Sequence, residues 1–172
     1  MDLPSAAALE RIKRWVKTFP DAEALWADLE ETHVRLFISD RQGIRTPLYA
    51  SCYEGETPSE TRPLMGEPAL AMQLRYLSKG LSLAEDIGEP PDHLSIELEY
   101  LYFLLEKGWA EKDDLLLEEA FSFSSGIMLP WVMNLKHRLA SFENENPFYP
   151  LIAILLCGIL RVIAELPISS KQ

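Results

Sequence analysis

Apolar residues recur at helical spacing along nearly the whole chain, and prolines, glycines and short polar residues cut the pattern into segments. Ser5 is placed to cap a first helix running to about Thr18, and Phe19-Pro20 breaks it. Asp21 caps the next, which sets Leu25, Leu29 and Leu36 near one stripe. "HVRLFIS" alternates like a strand but continues a helical period, so it reads as that helix's end. Residues 40–68 form one long irregular stretch punctuated by Pro47, Pro58, Pro63 and Pro68, and Tyr49 and Tyr53 inside it imply that part of it docks onto the body. Pro68 opens a helix with Leu70, Leu74, Leu77 and Leu81 at core spacing, and Gly80 caps its end. After the break "EDIGEPP", Asp92 is an expected N-cap for a helix with Leu94, Leu98, Leu101 and Leu105 on one stripe, widened by Ile96, Tyr100, Phe103 and Leu104 and ended by Gly108. A further helix runs from Asp113 or Asp114 to about Gly126, and Pro130 opens another with Trp131, Leu135 and Leu139. Asn146-Pro147 starts the last, strongly apolar one. With no repeat and no convincing strand pair, the pattern predicts an all-α bundle of roughly six to eight helices.

Length and charge narrow the classes. The chain has 172 residues, 48% of them hydrophobic, enough for one core or two small sub-domains. A charged first helix (Glu10, Arg11, Lys13, Arg14) leaves no signal-peptide pattern, and the longest apolar run, 147–160, is too short to span a bilayer. Cys52 and Cys157 fall in no paired motif and read as small core residues of a cytoplasmic protein. The net charge of −11 argues against nucleic acid as a partner. Ten of those eleven charges arise in residues 85–119, which hold twelve acids against Lys107 and Lys112. Such a belt is commonly a solvated surface, and alternatively a landing zone for a basic partner.

The stretch "GEPPDHLSIELEYLYFLLEKG", 88–108, sets an Asp-His pair between two prolines and an apolar helix. Neighbouring residues on a helix point apart, so the pair forms neither a closed metal site nor a triad. His33, His93 and His137 form no metal-ligand spacing, and the chain carries no nucleophile elbow and no phosphate-binding glycine motif. No catalytic residue, metal or cofactor is therefore expected. Asp92 is explained as a cap; His93 and the prolines suggest a rigid polar corner able to hold a peptide.

These residues resemble the TorD/DmsD/NarJ family of redox-enzyme maturation chaperones. "EPPDHLSIELEYLYFLL" resembles its Glu-Pro-x-Asp-His signature and following helix, and "RLFIS" with "TPLYASCYEGE" resembles its Leu-Phe segment and tyrosine-bearing loop. "LMGEPALAMQLRYLSKGL" and "LPWV" with "FYPLIAILL" resemble the adjoining helices, so the likeness covers most of 30–165. The resemblance implies a single all-α domain of two packed halves, about 1–87 and 92–172, joined by a hinge at 88–91. It implies a non-catalytic cytoplasmic chaperone, not embedded in the membrane, monomeric or a domain-swapped dimer. Its partner would be the apo-form of a molybdenum-cofactor oxidoreductase subunit, its twin-arginine leader peptide, or both. The implied client-binding residues are Tyr49, Ser51, Tyr53, Gly66, Glu89, Pro91, Asp92 and His93. A twin-arginine leader has a basic head and an apolar stretch, so Glu89 or Asp92 would accept guanidinium groups and His93 would tune that contact with pH. The competing reading is an all-α adaptor that scaffolds another complex.

Overall fold

The computed structural model describes residues 2–38, 44–53, 65–83 and 88–167. Among them are seven α-helices: α1 Leu3–Val16, α2 Ala22–His33, α3 Glu67–Ser78, α4 Leu94–Glu111, α5 Asp114–Ser122, α6 Leu129–Ala140 and α7 Phe148–Ala164. π-Helical turns follow α2 (Val34–Ile38) and α5 (Phe123–Met128), and a 3-10 turn spans Ala50–Tyr53. The only strand-like pairing among the described residues is an isolated bridge between Tyr49 and His93. The fold is all-α.

The chain forms two compact units. One comprises 1–47 and 132–162, the other 48–131 and 163–172, so residues 88–91 lie inside the second. The expected break "EDIGEPP" lies partly outside the described residues, and 40–43 and 54–64 of the expected long loop lie outside them.

In the first unit, Asp2 rather than Ser5 caps α1, accepting the Ser5 N–H at 2.8 Å. The cap sits three residues upstream because Pro4, at the second helical position, has no N–H to satisfy and the third donor is the one that needs an acceptor. Ser5 is instead buried. Asp21 caps α2 through the Ala24 N–H, as its sequence predicts. The Asn146 side chain accepts the Phe148 N–H at 2.9 Å to start α7, and its amide donates to Asp28 Oδ2 at 2.6 Å and Thr32 Oγ1 at 3.2 Å. That residue thus both caps one helix and ties it to α2. Leu36, Leu135, Leu151 and Leu160 are fully buried in this unit.

In the second unit, α4 is the central helix. Ile96, Tyr100, Leu101, Leu104 and Leu105 are buried along it. It continues past Gly108 to Glu111, where Lys112 takes the left-handed conformation and Asp113 begins α5. Gly108 has a different task from the expected stop: α4 packs along α5, and a Cβ at 108 would meet Leu117 Cδ2 at 2.7 Å. α3 ends as predicted. Gly80 has φ +68°, its N–H bonds Leu77 O at 3.0 Å, and the Leu81 N–H bonds Tyr76 O at 2.9 Å, which closes the helix end.

Two further expectations change. The leucines taken as the core stripe of α3 face outward: Leu70, Leu74 and Leu77 are 54%, 67% and 61% exposed, while Ala69, Met72 and Tyr76 are buried. And Pro130 stands at the second position of α6, as expected, but no break precedes that helix. Residues 114–140 form one helical run in which the Leu129 N–H reaches back to Ser124 O. That wider π-type turn comes just before a residue with no N–H to donate, so the helix passes through the proline instead of breaking.

Candidate functional site

The 88–93 segment meets the loop residues 48–53 within the second unit. The Leu94 N–H donates to Leu48 O at 2.8 Å and the Ala50 N–H to Asp92 O at 3.1 Å, which makes the Tyr49–His93 bridge. Backbone bonds of this kind fix the turn's register on the start of α4.

Asp92 is the pin. It is 0% exposed, and its Oδ2 accepts the Ser51 N–H at 2.8 Å and the Ser51 hydroxyl. It is not the helix cap expected from sequence. That position belongs to His93, whose Nδ1 accepts the Ser95 N–H at 3.3 Å and lies 2.8 Å from Ser95 Oγ. The physical reason is direction: one residue upstream of the cap, the Asp92 carboxylate faces the loop turn rather than the first free N–H groups of α4. With Nδ1 accepting, a neutral His93 ring carries its proton on Nε2. Burial lowers the His93 pKa, against the opposing pull of Glu89 and Asp92.

The surface of the corner is Tyr49, Glu89 and His93. The Tyr49 hydroxyl donates to Glu89 Oε2 at 2.5 Å, and the Tyr49 and His93 rings meet edge to face, 5.1 Å apart. Burial, then the Glu89 carboxylate, pushes the Tyr49 pKa up, so it stays a donor. Glu89 is exposed, whereas Pro91 is buried.

Tyr53 belongs to a second layer. It is buried and stacks on Trp131 at 5.7 Å. The Trp131 Nε1–H donates to Glu97 Oε2 at 2.8 Å. Glu97 is 1% exposed, and burial pushes its pKa up to about 8, with the Trp131 bond opposing and the Asp92 charge adding. In the sequence Glu97 is one of the twelve acids of 85–119. The signal that singles it out is position: three residues after Leu94 and four before Leu101, it sits on the buried stripe of α4. Gly66, the remaining candidate, is the N-cap residue of α3 and has no side chain to bond with. It reaches the corner only through its helix, since α3 packs against the Ala50–Tyr53 turn.

The acidic belt is not one surface. Asp92 and Glu97 point inward, Asp113 caps α5, and Glu111 lies 3.8 Å from Lys107. Glu119 accepts the Tyr100 hydroxyl at 2.6 Å and pairs with Lys79 at 2.6 Å and Arg75 at 3.7 Å. Burial raises its pKa, but Lys79, Tyr100 and Arg75 outweigh that and hold it below the usual value. Glu85 and Asp86 lie outside the described residues. Among the described residues no three His, Cys, Asp or Glu side chains gather in a way that could hold a metal, and no helix is long and apolar enough to cross a membrane.

Comparisons with known proteins agree with the resemblance carried by this corner. The family model described as nitrate reductase delta subunit matches residues 1–136. "Chaperone protein TorD" of Vibrio vulnificus (strain YJ016) is 29% identical over 97 residues, covering 54% of this chain and 45% of that one. The protein of the same name from Vibrio parahaemolyticus is 28% identical over 118 residues, covering 66% and 53%. That of Pasteurella multocida is 27% identical over 160 residues, covering 90% and 72%. The match to the first of these thus spans about half its length. No solved structure matches the chain significantly. With the family model covering well over half of its residues, the chain belongs to the nitrate reductase delta subunit family, the TorD/NarJ group that its 88–108 stretch resembles.

Proposed function

We propose that this protein is a cytoplasmic maturation chaperone without turnover. It binds the twin-arginine leader, the apo-form, or both, of a molybdenum-cofactor oxidoreductase subunit and holds it until the cofactor is inserted. Family membership and relatives named as chaperones support the class. One observation carries the peptide reading: buried bonds from Asp92 to Ser51 hold the corner rigid while Glu89 stays at its surface. A fixed carboxylate with a tyrosine hydroxyl already on one oxygen leaves its remaining acceptor capacity for a guanidinium. Asp92 positions the corner and does not itself touch the peptide. The outward leucines of α3 supply an apolar surface in the same unit for the leader's uncharged stretch.

The test is titration of a synthetic leader peptide against the full chain. Glu89→Lys should weaken binding at least tenfold and flatten its dependence on salt. Leu74→Glu should weaken it with the salt dependence intact. Unchanged affinity in both variants overturns this site. In the native host, deletion of the gene should leave oxidoreductase polypeptide present but lacking molybdenum cofactor; fully loaded enzyme would overturn the chaperone reading itself.

A further inference from the structure

The first unit contains a cavity of about 260 Å³ that lies apart from the corner in sequence and in role. Pro4, Ala140, Pro150, Ile154 and Cys157 give it an apolar lining, Lys136 and Arg161 bring positive charge to it, and His137 also lines it. Asp2 and Glu143 also line it. Both acids are already engaged: Asp2 caps α1 through the Ser5 N–H, and Glu143 pairs with Arg11. No carboxylate among the described residues lies within ion-pair distance of Lys136 or Arg161; the Arg161 guanidinium contacts Met133 Sδ at 3.8 Å and attracts the Asp2 carboxylate at longer range.

The charges decide what this pocket would take. Lys136, Arg161 and Arg11 supply three positive charges, and Asp2 and Glu143 two negative ones. With His137 neutral, one positive charge is left over. In a chain of net charge −11, a pocket with a positive balance runs against the overall charge. The volume lies just under the roughly 300–1,000 Å³ of pockets for drug-sized ligands, so it suits a fragment-sized molecule. Its apolar lining favours an uncharged body, and the half-buried Lys136 with the exposed Arg161 favours an anionic head.

We propose that this pocket binds a small organic monocarboxylate, its carboxylate between Lys136 and Arg161 and its apolar body against Ile154 and Pro150. Arg161 stands in the last turn of α7 and Lys136 one residue before that of α6, so both lie toward the negative ends of helix dipoles. That role requires neither a cavity nor an apolar lining, and it makes a different prediction.

The experiment uses the full chain and three probes: benzoate, its uncharged counterpart benzamide, and inorganic phosphate. Calorimetric titration and melting temperature are read for each. Benzoate should bind and raise the melting temperature, with benzamide at least tenfold weaker. Lys136→Gln with Arg161→Gln should reduce benzoate affinity at least tenfold. Ile154→Trp, which fills the pocket and leaves every charge in place, should abolish it, and this variant keeps the test decisive if the double variant is too unstable to fold. Equal binding of benzoate and benzamide, binding of phosphate alone, or full affinity in the Ile154→Trp variant overturns the proposal. So does a double variant that is less stable yet binds benzoate normally, the result expected if the cations serve only the helix ends.

Discussion

Asp92 and Glu97 stand five residues apart at the start of α4, and both are buried acids, but their surroundings set them to different tasks. Asp92 holds the Ser51 turn with a backbone and a hydroxyl donor. Such bonds to a charged, fully buried acceptor are worth about 1.5–3 kcal/mol each. Ser51→Ala should therefore destabilise the protein by about 2 kcal/mol in urea unfolding, and weaken peptide binding by loosening the corner. Glu97 has one indole donor and little else to replace water, so its folded pKa is raised to about 8 from 4.5. The sign follows: between those values the folded state holds a proton that the unfolded state has released, so this group's contribution to stability falls as pH rises from about 4.5 to about 8. Glu97→Gln keeps an acceptor for Trp131 and removes the titration. Its melting temperature should exceed that of the wild type increasingly from pH 5 to pH 8.5; parallel curves would rule this out. The Asp92-His93 signature is legible in the sequence, but which of the two caps the helix is not, because a cap depends on where the preceding backbone points.

Among the elements, α3 and α4 separate what periodicity tells from what it leaves open. α3 carries two apolar stripes, Leu70-Leu74-Leu77 and Ala69-Met72-Tyr76, both at helical spacing. Leucine is the more hydrophobic choice, yet the second stripe is the buried one, since it faces the Ala50–Tyr53 turn and Tyr100. A helix spacing rule cannot choose between two faces; only the partner does. Gly108 makes the same point. It lies inside the last turn of α4, where glycine is unfavourable by up to about 1 kcal/mol against alanine, and its compensation is the close passage of α5. Gly108→Ala should gain helix propensity and still lower stability, by about 1–3 kcal/mol, through the overlap with Leu117. A net rise in denaturation midpoint would show that α5 yields without strain. The Gly80 terminator and the Asn146 cap are legible because both act within a few residues of themselves.

Over the whole molecule the net charge of −11 makes an electrostatic prediction that single contacts do not. A basic-headed leader should associate faster and more tightly at low ionic strength, with affinity falling between about 0.01 and 0.15 M salt, where the screening length shrinks from roughly 30 to 8 Å. The slope should be modest. Asp92 and Glu97 are buried, Asp113 caps α5 and Glu119 is paired with Lys79, which leaves fewer acids free to face a partner than the sequence count suggests. Stopped-flow association across that salt range checks this, and a salt-independent rate would remove charge from the recognition mechanism.

The sequence by itself determined the all-α class, most helix bounds and the family likeness, because capping, proline breaks and helical periodicity act over one or two turns of chain. It also marked out the 88–93 corner and its loop tyrosines as the place to look. Tertiary structure alone decided which acids are buried, which leucines face water, and that residues 48–53 and 88–94 meet at all. Those outcomes depend on groups some 40 residues apart being brought together, as in the bond from Ser51 to Asp92, and on the resulting loss of water around a carboxylate. The pocket lined by Lys136 and Arg161 has the same origin: its charge balance exists only where α1, α6 and α7 converge.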